Sequence, residues 1–255
     1  MPSPHNPSRV CFFGDSQIAS ARLAMTEGLT SVPDDVDIEF WGATGPAFRQ
    51  IEWRGGAMRA TGAALEIALT INGRGRDHLA PGDFDTFVFY GARLRTAEFF
   101  GPYLQWHAAH GTFPSAAALH IAARTFMDDN RAYRNAVTLA AHGARVIFVP
   151  APLYTNGVTD LHARGRFLHA YPRASEADAD ARAVLWQAMT AVARSGGVTL
   201  VPQPEDTVTN GVLTKAEFAC EGAVEVGDTG HKSAAFAARW LQDVWPLVTD
   251  LRQAA

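Results

Sequence analysis

The sequence has few cysteines and no long apolar run. Cys11 and Cys220 are the only cysteines among 255 residues, which excludes a framework of disulfide bonds. No stretch of about 18 consecutive apolar residues is present, so no membrane-spanning helix is expected. The first nine residues are polar and proline-rich and do not contain the apolar core of a secretory signal. These absences predict a reducing cytoplasm as the compartment of the protein.

Clustered basic charge, phosphate-binding loops and metal-ligand clusters are missing as well. The formal net charge is −4 and the basic residues do not cluster, which argues against a nucleic-acid partner. Arg74–Arg76 lacks the spacing and the following helix of a glycine-rich phosphate loop. No set of carboxylates or cysteines accompanies His107, His110 and His120, so we interpret them as surface or aromatic-contact residues. We therefore expect no metal and no organic cofactor.

Short apolar runs alternate with helical patterns along the chain. The runs are apolar at successive positions and rich in Val, Ile and Phe, as in strands covered on both faces. They are Val10–Phe13, Ile38–Trp41, Phe87–Tyr90, Val146–Val149 and Val198–Val201. The helical patterns are Ile18–Leu29, a segment within Ala116–His142, Glu176–Arg194 and Ser233–Leu247. This alternation predicts one domain over residues 1–255, built on a doubly wound parallel sheet.

Two stretches interrupt the alternation, and we interpret both as insertions. Residues 48–75 contain Gly55-Gly56 and Asn72-Gly73 and mix strand and helix signals, so a hairpin is expected there. Residues 99–115 are rich in aromatic side chains and histidine and are interpreted as a loop inserted near the site, either packed on the protein or serving as a substrate platform. We expect the substrate pocket to be formed by the segments 42–60, 91–115 and 151–174.

A candidate nucleophile follows the first predicted strand. Gly14-Asp15-Ser16 places a hydroxyl at the edge where open α/β sheets bind ligands. A serine attacks a carbonyl when a neighbouring base, usually histidine, takes its proton. Asp228 and His231 lie three residues apart in a turn before the last helix, so the carboxylate can orient the imidazole. Taken alone, Ser16 is also a good helix N-cap, but the common placement of all three residues favours catalysis.

With these motifs the chain resembles the SGNH, or GDSL-like, hydrolases and acyltransferases. The resemblance rests on Gly14–Ser16 after the first strand, Gly42–Gly45 after the second and Asp228–His231 before the last helix. It implies an α/β fold, namely a flavodoxin-like three-layer α/β/α sandwich with a five-stranded parallel sheet. It also implies that Ser16 is the nucleophile, His231 the base and Asp228 its orienting carboxylate. The backbone amides of Ser16 and Gly45 would then form the oxyanion hole.

One block departs from the family pattern. Gly91-Ala92-Arg93-Leu94 stands where the family has Gly-x-Asn-Asp, so Arg93 replaces the asparagine that donates to the oxyanion. A guanidinium could donate there too, could bind an anionic group of the substrate, or could point elsewhere. Asn156 follows a proline-rich turn after the fourth strand and is a candidate either to line the cleft or to turn the chain.

These residues predict a serine-dependent ester hydrolase of the carboxylesterase or deacetylase type. Its partner would be a small-molecule or carbohydrate ester, attacked through an acyl-Ser16 intermediate. Two alternatives stay open: a sugar O-acyltransferase with the same three residues, and a binding module without activity on the same fold. The catalytic hypotheses require Ser16 and His231 to lie within hydrogen-bond reach. Ile18 occupies the last position of Gly-x-Ser-x-Gly, which argues against the α/β-hydrolase fold. The oligomeric state is not predicted.

Overall fold

The computed structural model of the chain describes residues 7–158 and 167–249. The strands are β1 (Ser8–Gly14), β2 (Val36–Gly42), β3 (Ile51–Arg54), β4 (Ala57–Ala60), β5 (His78–Leu79), β6 (Thr86–Arg95), β7 (Arg145–Ala151), β8 (Val198–Leu200), β9 (Val208–Thr209) and β10 (Leu213–Thr214). The helices are α1 (Ile18–Thr26), α2 (Ala63–Asn72), α3 (Thr96–His110), α4 (Ala116–Asp128), α5 (Arg131–Ala141), α6 (Phe167–Ala170), α7 (Ala179–Ser195), α8 (Ala223–Val226) and α9 (Ala234–Thr249).

Five parallel strands form the central sheet, in the order β2-β1-β6-β7-β8. Val10 of β1 lies opposite Ile38 of β2 on one side and Thr86 of β6 on the other. Helices flank this sheet, which makes the architecture an α/β, flavodoxin-like three-layer sandwich. The predicted fold class and the five predicted strands are therefore confirmed.

The sheet is covered on both faces, which explains why its strands have continuous apolar runs. Phe12 belongs to the core cluster that also contains the buried residues of α1 and α9. Its neighbour Phe13 points the other way, into a cluster that includes Trp41, Phe89 and Phe148. Successive side chains of a strand point to opposite faces, so both positions must be apolar when both faces are packed.

The last of the predicted helices is present as α9, and one of its faces carries an apolar stripe. The stripe is buried and consists of Phe236, Trp240, Leu241, Val244 and Trp245. Trp240 Nε1 donates to the carbonyl of Pro202 at 2.8 Å, which satisfies its one polar atom. α9 is therefore fixed against the sheet, and with it the turn that precedes it. Within the residues that the structure describes, neither this nor any other helix is long and apolar enough to cross a membrane.

The hairpin expected within residues 48–75 is present. β3 and β4 pair antiparallel, and Gly55 and Gly56 form their turn with φ angles of +58° and +78°. Gly73 ends α2 in a left-handed conformation. Asn72-Gly73, the second glycine-containing pair of the stretch, is therefore the end of a helix and not part of the hairpin.

The interpretation of residues 99–115 as a loop is wrong. Most of the stretch lies in α3, where Phe99, Phe100 and Leu104 are buried against the core. Their spacing places them on one helix face, and this packing outweighs the backbone donor that Pro102 removes from the helix interior. The single helix expected within Ala116–His142 is two helices, α4 and α5. They are separated at Asn130, which caps α5 because its side chain accepts the N–H of Tyr133.

Candidate active site

Ser16 lies at the tip of a tight turn between β1 and α1. The carbonyl of Asp15 accepts the N–H of Ile18 at 3.2 Å, and the Asp15 carboxylate accepts the N–H of Gln17 at 3.1 Å. Asp15 thus forms an Asx turn just before α1, whose N-cap residue is Gln17. Ser16 Oγ lies instead 2.6 Å from His231 Nε2, a residue 215 positions away in sequence.

His231 lies between Ser16 and Asp228. Its Nδ1 is 2.6 Å from Asp228 Oδ2, and its Nε2 faces the Ser16 hydroxyl. An ionised carboxylate only accepts hydrogen bonds, so we assign the ring proton to Nδ1 and a free electron pair to Nε2. In this tautomer the imidazole is oriented to take the proton of Ser16. The contact that the catalytic hypothesis requires is therefore present.

Hydrogen bonds to Asp228 keep its carboxylate ionised. Oδ1 accepts the backbone N–H groups of Gly230 at 2.9 Å and of His231 at 3.0 Å. Partial burial acts to raise the pKa of Asp228. The bonds from the His231 backbone, the His231 ring and Gly230 outweigh that cost and hold the pKa below its usual range. The side chain that orients the imidazole is therefore negatively charged at neutral pH.

Lys232 supports the same turn and was not identified from the sequence. Its side chain is buried, and Nζ donates to the carbonyls of Thr229 at 2.9 Å and Gly230 at 2.8 Å. Burial lowers the pKa of Lys232 to about 7, against the opposing effect of the charge on Asp228. The Gly230 carbonyl also accepts Gln17 Nε2 at 3.0 Å, which ties the histidine turn to the serine turn. A lysine beside the Asp-x-x-His motif is visible in the sequence, but its burial is not.

Close approach between strand ends also fixes the position of Ser16. A Cβ atom on Gly91 would lie 2.3 Å from Gln17 Cβ, and one on Gly14 would lie 2.3 Å from the Tyr90 carbonyl oxygen. Both distances are far inside van der Waals contact, so only glycine fits at these positions. The turn that carries Ser16 therefore packs directly on β6, at Tyr90 and Gly91.

Arg93 connects three segments around the cleft. Its Nε donates to Asp15 Oδ2 and its Nη2 to the carbonyl of Gly45, each at 2.7 Å. The guanidinium also lies over the ring of Phe48, 4.9 Å from the centroid. Arg93 has a φ of +53°, and Asn130 Nδ2 donates to its carbonyl oxygen. Hydrogen bonds thus hold two nitrogens of the guanidinium, and the Phe48 ring covers one of its faces. The side chain still borders the cleft.

A cleft of about 380 Å³ opens at the carboxyl ends of the strands. Four of the predicted site residues line it, namely Ser16, Gly45, Arg93 and His231. All three expected segments contribute: residues 45–49, 91–97 and 151–154. The part of the third segment from 159 to 166 lies outside the described residues.

Asn156 does not line the cleft, so its candidate role there is not supported. Its N–H donates to the Thr214 carbonyl at 2.8 Å, and its Oδ1 accepts Asn210 Nδ2 at 3.4 Å. The chain has turned towards β10 by this point, and Leu153 and Tyr154 border the cleft instead. The alternative expectation, that Asn156 belongs to a turn, is correct.

The three histidines considered as metal ligands lie in other surroundings. His107 stacks on Phe113 and His110 on Trp106, with ring centroids 4.5 and 4.0 Å apart. His120 Nε2 lies 3.0 Å from a guanidinium nitrogen of Arg124. Across residues 7–158 and 167–249, no group of three or more His, Cys, Asp or Glu side chains is arranged to hold a metal ion.

The arrangement has the chemistry of an activated serine. A hydroxyl, an imidazole and an ionised carboxylate are joined in sequence by two contacts of 2.6 Å, at the wall of an open cleft. Comparison with models of known protein families and with curated protein sequences finds no match to this chain.

Proposed function

We propose that the protein is a serine-dependent ester hydrolase of the carboxylesterase or deacetylase type. The observation that carries this proposal is the continuous contact from Ser16 through His231 to Asp228. Serine hydroxyls that only cap helices bond to nearby backbone N–H groups, whereas Ser16 Oγ contacts a distant imidazole. The same observation favours a catalytic site over a binding module without activity.

The first half of the reaction transfers the acyl group to Ser16. Ser16 Oγ bonds to the ester carbonyl carbon while His231 Nε2 takes its proton, and Asp228 stabilises the resulting imidazolium. The tetrahedral intermediate then collapses and the bond to the alcohol oxygen breaks. His231 returns the proton to the departing alcohol, which leaves an acyl-Ser16 ester.

The second half repeats these steps with water. Water attacks the acyl carbon and gives a proton to His231 Nε2, and the bond from the acyl carbon to Ser16 Oγ breaks. Ser16 regains its proton from His231, and the carboxylic acid leaves. With an alcohol in place of water the same steps transfer the acyl group, which is the reaction of the acyltransferase alternative.

In each tetrahedral intermediate the former carbonyl oxygen is negatively charged, and hydrogen-bond donors must stabilise that charge. The backbone amides of Ser16 and Gly45 are the proposed donors, and both residues border the cleft. Arg93 lines the same wall, where its ion pair with Asp15 and its bond to the Gly45 carbonyl hold the two segments that carry these amides. All roles are filled by side chains and amides of this chain, so the proposal assigns no cofactor.

The cleft volume fits a small ester or the acylated end of a carbohydrate. The cytoplasmic location stays a prediction of the sequence.

The proposal is tested by release of p-nitrophenol from p-nitrophenyl acetate. Wild-type protein is expected to turn over this ester, and Ser16→Ala to lose about 10³-fold or more in kcat because the nucleophile is gone. Ser31→Ala is the matched control, since Ser31 is exposed and lies outside the cleft. Its rate should equal that of the wild type.

Two further results decide between the hypotheses. Equal rates for wild type and Ser16→Ala, with acetate and with a longer acyl ester, would contradict the esterase proposal and favour a binding module. Addition of a sugar alcohol distinguishes the remaining two activities: a hydrolase releases free acid, whereas a transferase yields the acylated acceptor.

A further inference from the structure

The cleft beside Ser16 carries more positive than negative charge. Arg49, Arg93 and Arg95 border it, whereas Asp15 is the one carboxylate among its described lining residues. The chain as a whole has the opposite balance, with a formal net charge of −4. Positive charge is therefore concentrated at the cleft in an otherwise acidic protein, which favours the approach of anions.

The three arginines differ in how far carboxylates of the protein neutralise their charges. Arg93 forms a 2.7 Å ion pair with Asp15, and that carboxylate neutralises it. Among residues 7–158 and 167–249, the one ion pair of Arg95 is with Glu98, at 3.6 Å, and both side chains of that pair are more than half exposed. An exposed pair at this distance contributes little, so most of the binding capacity of Arg95 is open to a ligand.

Arg49 has no ion pair or hydrogen bond from its guanidinium to the part of the chain that the structure describes. A second cation lies close by, because an Nη1 hydrogen of Arg131 is donated to the Arg49 carbonyl oxygen. This contact involves the backbone of Arg49, so the Arg49 guanidinium stays available to a bound anion. We call Arg49 and Arg95 the arginine rim.

We propose that the ester attacked by Ser16 carries an oxyanion group, a carboxylate or a sulfate or phosphate type, which the arginine rim binds. This inference rests on the proposed esterase function and specifies its substrate class. Guanidinium groups bind such anions through paired, charge-assisted hydrogen bonds. The rim would thereby hold the substrate in the cleft while the ester carbonyl lies at Ser16.

A matched pair of aryl acetates tests the inference. 4-Acetoxybenzenesulfonate carries an anion at neutral pH, and 4-acetoxybenzenesulfonamide has a similar shape and leaving group without that charge. We expect wild-type kcat/KM to favour the sulfonate by about ten-fold or more at low salt, and added salt to reduce the preference by screening. 4-Acetoxybenzoate and its amide extend the test from sulfonate to carboxylate.

Substitution of the rim should abolish the preference for the sulfonate ester, because KM for that ester rises. In Arg49→Gln and Arg95→Gln the sulfonate-to-sulfonamide ratio is expected to fall about five-fold each, with kcat for the sulfonate little changed. Arg59→Gln is the matched control, because Arg59 is an exposed arginine of β4 outside the cleft lining. Equal wild-type kcat/KM for both esters, or a preference that survives the double substitution, would overturn the inference.

Binding without turnover separates this inference from the esterase proposal. Calorimetry on Ser16→Ala with 4-hydroxybenzenesulfonate should show binding that weakens when Arg49→Gln is added and stays unchanged with Arg59→Gln. If neither ester shows Ser16-dependent turnover, the esterase proposal fails while this binding result still decides the anion site. Sulfonate binding no tighter than sulfonamide binding counts against the site, whatever the turnover.

Discussion

Two sides of one cleft use polar side chains in opposite ways. On the triad side, which comprises Ser16, Asp228, His231 and Lys232, each polar group has partners within the protein. On the arginine rim the charges have weak partners or none in the described residues. A group held by several hydrogen bonds is fixed in orientation, whereas an unpaired charge is available to a ligand. The triad side is thus suited to chemistry and the rim to substrate choice.

This comparison predicts different kinetic effects on the two sides. Changes on the triad side should lower kcat, because in the proposed esterase these groups act on the reacting atoms. Changes on the rim should alter KM for charged esters, because they remove binding that is equal in the ground and transition states. A rim substitution that lowered kcat for every ester would break the distinction.

The largest effect is expected from Asp228→Asn. An asparagine amide keeps the size of the side chain but removes the charge, and it no longer fixes the ring proton on Nδ1. We expect kcat for p-nitrophenyl acetate to fall about 10³- to 10⁴-fold with KM little changed. Asp243→Asn is the matched control, since that carboxylate pairs with Arg239 on the exposed side of α9. A loss below about ten-fold would show that Asp228 does not orient the base.

The sequence predicted the parts of this molecule that depend on local pattern. Runs such as Val10–Phe13 identified strands because both faces of the sheet are packed. Gly14–Ser16 and Asp228–His231 identified the triad side because each motif is short and lies next to a recognisable element. In both cases the relevant information is contained in adjacent residues.

The parts that were missed depend on contacts between distant segments. Arg93 and Asp15 are 78 positions apart, so no spacing rule reveals that they pair. The burial of Lys232 depends on the packing of the whole turn, and a lysine is expected on the surface by default. α3 was interpreted as a loop because its aromatic and proline content obscured the helical spacing of Phe99 and Leu104.

A smaller effect, on both stability and rate, is expected from Gly91→Ala. The added Cβ would lie 2.3 Å from Gln17 Cβ and must displace the turn that carries Ser16. We expect a loss of about 2–4 kcal/mol in the free energy of unfolding, from left-handed backbone strain plus steric displacement. Turnover of p-nitrophenyl acetate should fall at least about ten-fold, because Ser16 moves relative to His231.

Gly73→Ala separates the two causes of this loss, which are left-handed backbone strain and steric displacement. Gly73 has a φ of +64°, close to the +66° of Gly91, but a Cβ there would have no neighbour within 4 Å. Its cost should be limited to about 1 kcal/mol of backbone strain, with full activity. Urea denaturation and the esterase assay measure both variants. Equal behaviour of the two would show that the contact between Gly91 and Gln17 does not position the nucleophile.

An effect smaller than that of Gly91→Ala is expected from Lys232, which introduces a pH dependence of stability. Burial lowers the pKa of Lys232 to about 7 in the folded protein, while in the unfolded chain the amine keeps its ordinary, higher pKa. Between pH 7 and 9 unfolding therefore takes up a proton, and the folded state gains stability as pH rises. The gain is about 2 kcal/mol over this interval. The Lys232→Met variant should not show this gain in stability between pH 7 and 9.

Urea denaturation at pH 7, 8 and 9 measures the difference in slope between wild type and Lys232→Met. Lys215→Met is the control, since Lys215 is the only other lysine of the chain and is partly exposed. Parallel slopes in all three proteins would mean that Lys232 keeps its proton. A steeper slope in the wild type would identify the amine as neutral above pH 7, with two N–H groups for the two carbonyls that it contacts. In that state the remaining charge of the triad side, on Asp228, is held by hydrogen bonds from the backbone, in contrast to the charges of the arginine rim.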